Sequence, residues 1–445
     1  MFTRHGLNCL SLNSWWYYIE GNSFWNEDRK NAVRQGTILL ARIVKRTGKY
    51  IHEVEDTLKY FERTKHIYEN DLTKIGETLL LLWDIFHSDL GKSLIPFIQE
   101  KFLEKGLTEN QTDKLIDYCF NFKHPLGYQQ EQTDLKKIYL LLRKKYSAKS
   151  IHDTKQIPAE AKIFLAKHWK KYRYLTGFDL NEEPYSQNDF WRKLLDASTE
   201  KVVKRKRIET IPASIQKHLS KADRKFLHLV HRHIFFDNYA ADLYAKLDFL
   251  LCNFLSGKYS LSFKELSWYS FGEVEELIKR GKKVSLEQLA ARKKYRAMVH
   301  LNGDITMFYG KKEFLRIKKI VVAKTTTQRV KSFTGLIAFR GFVSGTVKIV
   351  KRVRDIDKLK TGEILVAPTT HPNLILAIKR CSGIITDTGG ITSHAAVVSR
   401  EFGIPCIVGT TIATRVLRDR DRVELDANNG VVNIIPPGRW NTLGT

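Results

Sequence analysis

The chain is poor in cysteine, proline, methionine and acid. Its five cysteines (Cys9, Cys119, Cys252, Cys381 and Cys406) are odd in number, scattered and never spaced C-x-x-C. That pattern argues against a disulfide framework or a cysteine zinc site and points to free thiols in a reducing compartment. Ten prolines and 26 glycines are too few for a collagen-like or low-complexity chain. No apolar run approaches the roughly eighteen residues of a membrane span, the longest being short stretches such as Leu79–Trp83. Arg4, His5, Asn13 and Glu20 interrupt the first residues, so no secretory leader is read there and the cytoplasm is the expected location.

Acidic residues are well outnumbered by basic ones. Forty-eight Asp and Glu against 75 Lys and Arg give a net charge of +27. Residues 331–445 hold 16 basic and 9 acidic residues, a share of +7, which leaves +20 before them. Such a field attracts polyanions: nucleic acid, nucleotides, phosphorylated substrates or anionic surfaces. A solvated basic face explains the same numbers, and KVVKRKR at Lys201–Arg207 is of that kind.

At 445 residues the chain is long enough for two or three domains. Before about residue 312, apolar residues recur at helical spacing with few glycines, as in Glu77–Ser88, Leu135–Tyr146 and Lys225–Ser256, and almost no strand is convincing. After it, short β-branched runs separated by glycine alternate with two helical stretches, Pro372–Arg380 and His394–Phe402. The expected class is therefore multi-domain: a large all-α N-terminal region followed by a small C-terminal α/β domain. The boundaries read as 1–200 (basic, helical, a possible acceptor-binding region), 201–311 (helical), 312–332 (a basic Thr-rich linker or hinge) and 333–445 (α/β).

The chemistry concentrates at Thr386–Ala396, TDTGGITSHAA, which follows an apolar strand and opens a helix. Thr392 or Ser393 is a natural N-cap, and His394 stands in the first turn. Unpaired amides and the positive end of the helix dipole stabilise an anion there and keep the imidazole neutral, as a nucleophile requires. Gly389 and Gly390 permit positive φ and leave room for a bulky anion, while the two hydroxyls can donate to phosphate oxygens. Together they suggest a histidine built to attack phosphorus and hold the phosphoryl group. A histidine that merely belongs to a helix cap is the competing structural account.

Three segments carry a resemblance: GEILVAPTTHPN (362–373), TDTGGITSHAAVVSREFGIPCIVGT (386–410) and DRVELDANNGVV (421–432). They resemble the swivelling phosphohistidine domain of the PEP-utilising enzymes, the family of phosphoenolpyruvate synthase, pyruvate phosphate dikinase and rifampin phosphotransferase. Gly335, Gly341 and Gly345 extend the likeness upstream, and Phe339 departs from it where the family often has a small residue. The resemblance implies that His394 is phosphorylated, with Gly389, Gly390, Thr392 and Ser393 stabilising the phosphate, and that Arg400 and Glu401 close the helix onto the next strand. It also implies a separate ATP-grasp protein as partner, with ATP and Mg2+ entering through that partner, or PEP as donor, and a small-molecule acceptor held by the helical region. No ATP-grasp loop is identified in residues 1–330, and Gly91-Lys92-Ser93 fails as a P-loop because Phe86 stands where glycine is required.

Outside this segment, His168–Leu175 interleaves aromatic and basic residues, and Trp169, Tyr172 and Arg173 are candidates for ligand contact; core packing with snorkelling cations is the alternative. His228, His231, His233 and Asp237 match no metal spacing, so no metal site is expected. The preferred reading is a phosphotransferase component carrying phosphoryl on His394. The alternative is a basic polyanion- or nucleic-acid-binding module with an idle carrier domain, and a partner-sensing regulatory protein is a third possibility. No membrane partner is expected.

Overall fold

The structure is a computed structural model. It describes residues 9–12, 15–18, 37–63, 68–86, 90–122, 124–147, 151, 158–176, 184–198, 210–301, 304–322, 330–350, 353–370, 374–390 and 393–436. Thr392, Lys201–Arg207 and Thr325–Thr327 lie outside the described residues. No helix among those described is long and apolar enough to cross a membrane.

The chain divides into two compact units. The first comprises Met1–Ser88, Phe122–Lys201 and Ser220–Val322. Its longer helices are α1 (Thr37–Arg63) and α2 (Glu69–Phe86), then, after two helices of the other unit, α5 (Gly127–Arg143), α6 (Ala159–Tyr172), α7 (Gln187–Ser198), α8 (Lys221–Tyr259), α9 (Phe271–Arg280), α10 (Leu286–Lys294) and α11 (Lys311–Val322). The two intervening helices are α3 (Leu90–Glu104) and α4 (Glu109–Phe120). Capping boxes start α8, α9 and α10, where Ser220, Ser270 and Ser285 each accept from the third helical amide and receive a reciprocal side chain. The long helix α8 is buried by α1 and α2 in a cluster that includes Ile51, Leu58, Leu79, Leu243, Leu247 and Leu251. A second cluster joins α5, α6 and α7 through Leu135, Leu165, Phe190 and Leu194.

This unit is helical as expected, with one addition to the all-α reading. Strands β1 (Cys9–Leu12), β2 (Trp15–Tyr18), β3 (Arg296–Leu301) and β4 (Asp304–Tyr309) form an antiparallel sheet in the order β2-β1-β3-β4. The β3–β4 register ends on Leu301↔Asp304, which brackets Asn302-Gly303, the dipeptide favoured in two-residue hairpins. That signal was available in the sequence; the pairing of β1 with β3 was not, because it joins residues almost three hundred positions apart. The hinge expected over 312–332 also needs correction, since its first half is the helix α11. Its apolar residues Phe314, Leu315, Ile317 and Ile320 fall at helical spacing, which the run of threonines beyond it obscured.

The second unit comprises Asp89–Asn121, Val202–Leu219 and Ala323–Thr445, so α3 and α4 cluster with the C-terminal domain. The units are thus interleaved in sequence rather than consecutive, because periodicity locates a helix without saying what it packs against. The C-terminal domain holds β5 (Ser332–Thr334), β6 (Leu336–Phe339), β7 (Phe342–Ile349), β8 (Ile364–Ala367), helix α12 (Ile375–Arg380), β9 (Gly383–Thr386), helix α13 (His394–Phe402), β10 (Cys406–Val408), β11 (Arg422–Asp426) and β12 (Val431–Ile435). They form one eight-stranded sheet ordered β5-β12-β11-β7-β8-β9-β10-β6. Strands β7 to β10 run parallel and the remaining pairs antiparallel. Every residue of β8, β9 and β10 is buried, as expected of central parallel strands covered on both faces. The two edge strands, β5 and β6, are separated by Gly335 alone, so the sheet curls until its edges meet. A Cβ at 335 would lie 2.6 Å from Ile407 Cγ2 and 2.8 Å from the Val408 carbonyl, which is why glycine stands there.

Candidate active site

Three loops leave the carboxyl ends of the parallel strands β8, β9 and β10, the edge at which open α/β sheets collect their ligands. The β9 loop, Asp387–Ser393, delivers His394 as the first residue of α13. Ser393 holds the N-cap position with φ −64° and ψ 160° but makes no side-chain cap bond, contrary to the simple cap expected, and its Oγ has no hydrogen-bond partner. The first intrahelical bond runs from Val397 N to the Ser393 carbonyl, so the amides before it point out of the helix end. His394 and Ser393 are half-buried as residues, while the His394 Nε2 and Ser393 Oγ atoms are themselves shielded from solvent.

Backbone and hydroxyl contacts hold the loop in place. Asp387 N donates to the Ala367 carbonyl at 3.1 Å and Thr388 N to the Pro368 carbonyl at 2.8 Å, which splices the β9 loop to the β8 loop. Thr388 Oγ1 also donates to Pro368 O (3.0 Å), and Thr386 Oγ1 to Thr388 O (2.8 Å). On the other side, Thr410 N and Oγ1 both donate to the Thr386 carbonyl at 3.0 Å. The buried Asp387 carboxylate accepts from Thr414 N at 2.9 Å and from Thr414 Oγ1, tying the β9 loop to the segment after β10. Gly389 adopts φ +108°, and a Cβ there would sit 3.1 Å from both Cβ and Oγ of Ser393. Glycine is therefore required at 389 both for conformation and for space. Gly390 is buried, and its carbonyl accepts from Ser393 N at 2.9 Å.

The contact that sequence reasoning missed is Thr370, from the β8 loop. Its Oγ1 lies 3.2 Å from His394 Nδ1. When Nδ1–H donates to that oxygen, Nε2 is left with the lone pair and becomes the nucleophilic nitrogen. Thr370 lies within the Gly362–Asn373 segment that carries the resemblance, but nothing local in the sequence brings it to the ring. Asp387 was likewise passed over, although an acid wedged between an apolar strand and a glycine pair is a recognisable oddity.

The other candidates lie in the first unit, each with an intramolecular partner. Tyr172 is buried, and its hydroxyl donates to Asp134 Oδ2 at 2.6 Å. Trp169 Nε1 donates to the Tyr185 carbonyl at 2.6 Å, and the Arg173 guanidinium lies over the rings of Trp169 (4.3 Å) and Phe249 (4.8 Å). His233 is buried 3.5 Å from Asp237, and burial pushes its pKa down to about 4. Among the described residues no group of three or more His, Cys, Asp or Glu side chains is placed to hold a metal ion.

A family model described as the mobile domain of PEP-utilising enzymes matches residues 359–430. A probable phosphoenolpyruvate synthase of Methanothermobacter thermautotrophicus is 53% identical over 98 residues, covering 22% of this chain and 14% of its own. The probable phosphoenolpyruvate synthase of Pyrococcus horikoshii is 43% identical over 131 residues, 28% of this chain and 16% of its own. The uncharacterized phosphotransferase YvkC of Bacillus subtilis is 39% identical over 101 residues, 23% and 12% respectively. The similarity thus spans 12 to 16% of the length of these three relatives.

Proposed function

Residues 359–430 of this chain are a mobile domain of the PEP-utilising enzyme family, and from that premise we propose that the C-terminal domain is a phosphoryl carrier working through His394. The Nε2 lone pair attacks the phosphorus of a donor. A P–N bond forms, and the bond from phosphorus to the donor's leaving oxygen breaks, its electron pair leaving with that oxygen. In the second half-reaction an acceptor oxygen attacks the phosphoryl group, its proton passes to solvent or a base, and the imidazole regains its lone pair as the P–N bond breaks.

The observation that carries this reading is the pairing of His394 Nδ1 with Thr370 Oγ1 at the carboxyl ends of the parallel strands. It orients the ring, and when Nδ1–H is the donor the lone pair is left on Nε2. The positive end of α13 and the Ser393 hydroxyl favour the dianionic phosphoryl group, and the reaction requires the shielded Nε2 to be uncovered when a donor binds. The phosphoryl donor is ATP, delivered by an ATP-grasp protein in trans, or PEP, and the acceptor is held by the helical unit. The charge of +20 before residue 331 suits an acceptor that is itself anionic.

Phosphoramidate, a small donor that needs no partner protein, tests the carrier directly. Treated with it, the intact chain should yield an acid-labile, base-stable phosphoprotein, and His394→Ala should not. Equal labelling of the variant would reject the assignment. A purified ATP-grasp protein with labelled ATP, or labelled PEP alone, then identifies the natural donor.

A further inference from the structure

Helix α4 is acidic in a basic chain. Its twelve residues carry Glu109, Asp113 and Asp117 against the single cation Lys114. Steps of four, three and four place Glu109, Asp113, Ile116 and Phe120 on one face. The helix is well specified locally, with a capping box between Thr108 and Gln111.

The C-terminal domain meets that face with two arginines. Arg340, between β6 and β7, has Nη1 3.4 Å from Glu109 Oε2 and Nε 3.2 Å from Asp113 Oδ2. Its Nη1 also donates to the Asn428 carbonyl at 2.9 Å, which fixes the guanidinium from the domain's side. Arg400, near the end of α13, is 8% exposed. It donates to the Ala396 carbonyl at 3.2 Å and lies over the Phe120 ring at 4.1 Å. Ile116, Cys119 and Phe120 are buried. An exposed ion pair alone contributes little, but a buried guanidinium on an aromatic ring, flanked by apolar side chains, is a packed contact.

We propose that the Arg340–Arg400 face of the C-terminal domain is a helix-docking surface, that its occupant is this chain's own α4, and that the Leu90–Phe120 hairpin and the domain form one cooperative unit. The docking itself stands on the contacts above; its consequence for motion rests on the carrier reading. In that case the moving body is larger than residues 333–445, and a donor protein meets a carrier with this face already covered. Arg400 lies six residues along α13 from His394, about 9 Å at the helical rise, so the occupied face is displaced along the helix from the histidine.

Hydrogen–deuterium exchange on the intact chain tests this. Arg340→Glu should accelerate exchange across 90–120 and across β6 by about tenfold, as losing a partly buried pair implies. Adding Glu109→Arg and Asp113→Arg to Arg340→Glu should restore slow exchange. Phe120→Ala, which leaves the charges intact, should also loosen 90–120, while α8 remains unchanged throughout. Exchange in 90–120 that ignores both Arg340→Glu and Phe120→Ala, or a charge reversal that fails to restore it, overturns the proposal. None of these readouts involves phosphorylation, so a failure of the carrier chemistry and a failure of the docking give different results.

Discussion

Thr370→Val removes one hydroxyl from the site at almost constant volume. Thr370 is buried and its Oγ1 is 3.2 Å from His394 Nδ1. A neutral hydrogen bond contributes about 1 kcal/mol net, and a half-buried Nδ1–H left without its acceptor adds a fraction of its desolvation cost, for a total of about 1–2 kcal/mol. Through the transition-state relation this is a roughly 5- to 30-fold slower phosphorylation by phosphoramidate. The isomer distribution is the sharper readout. With Nδ1 engaged, the wild-type chain should carry phosphate on Nε2; without Thr370 the ring can present either nitrogen, and the Nδ1 isomer should appear. Phosphorus NMR, or antibodies specific for each phosphohistidine isomer, distinguishes them. Wild-type phosphate on Nδ1, or a Thr370→Val chain with unchanged rate and isomer, would refute the role given to this hydroxyl.

Other perturbations test neighbouring parts of the argument. Gly389→Ala forces a side chain into φ +108° and against Ser393, so the urea midpoint should reflect a loss of about 1–2 kcal/mol, with phosphoramidate labelling reduced as well. In the helical unit, burial raises the Asp242 carboxyl to about 7 although Gly127 N donates to it at 2.5 Å. The folded chain therefore binds more protons at this site than the unfolded one between about pH 4 and 7, so this contribution to stability falls as pH rises through that window and then levels off. Thermal melts at several pH values should read that decline as the difference between the chain and Asp242→Asn, which lacks it. Asp248, raised to about 7 by burial, acts in the same direction, whereas the buried His233, lowered to about 4, acts in the opposite one between about pH 4 and 6.5, so the difference rather than the net slope is the readout.

Much of the C-terminal domain was legible from sequence. The helix read over His394–Phe402 has those same bounds in the structure, because its signals are local: hydroxyl residues before it and Gly403, at φ 69°, closing it. Buried β-branched runs marked β8 and β9 for the same reason. Of the two hydroxyl residues read as possible caps, Thr392 and Ser393, it is Ser393 that holds the N-cap position, and the bond expected of its hydroxyl is not made. Strands β1 to β4 went unread: the first two lie among scattered aromatics, and their partners lie at the far end of the helical region.

From the order of residues alone follow a helical body, an α/β domain after it, and a histidine at a helix start beside two glycines. Each rests on neighbours within a few positions, where periodicity and capping act. Tertiary structure decided which hydroxyl holds the imidazole, how Asp387 braces the loop, and that α3 and α4 cluster with the domain at the other end of the chain. Those contacts join residues from 24 to more than two hundred positions apart, and no local preference of either partner specifies the other.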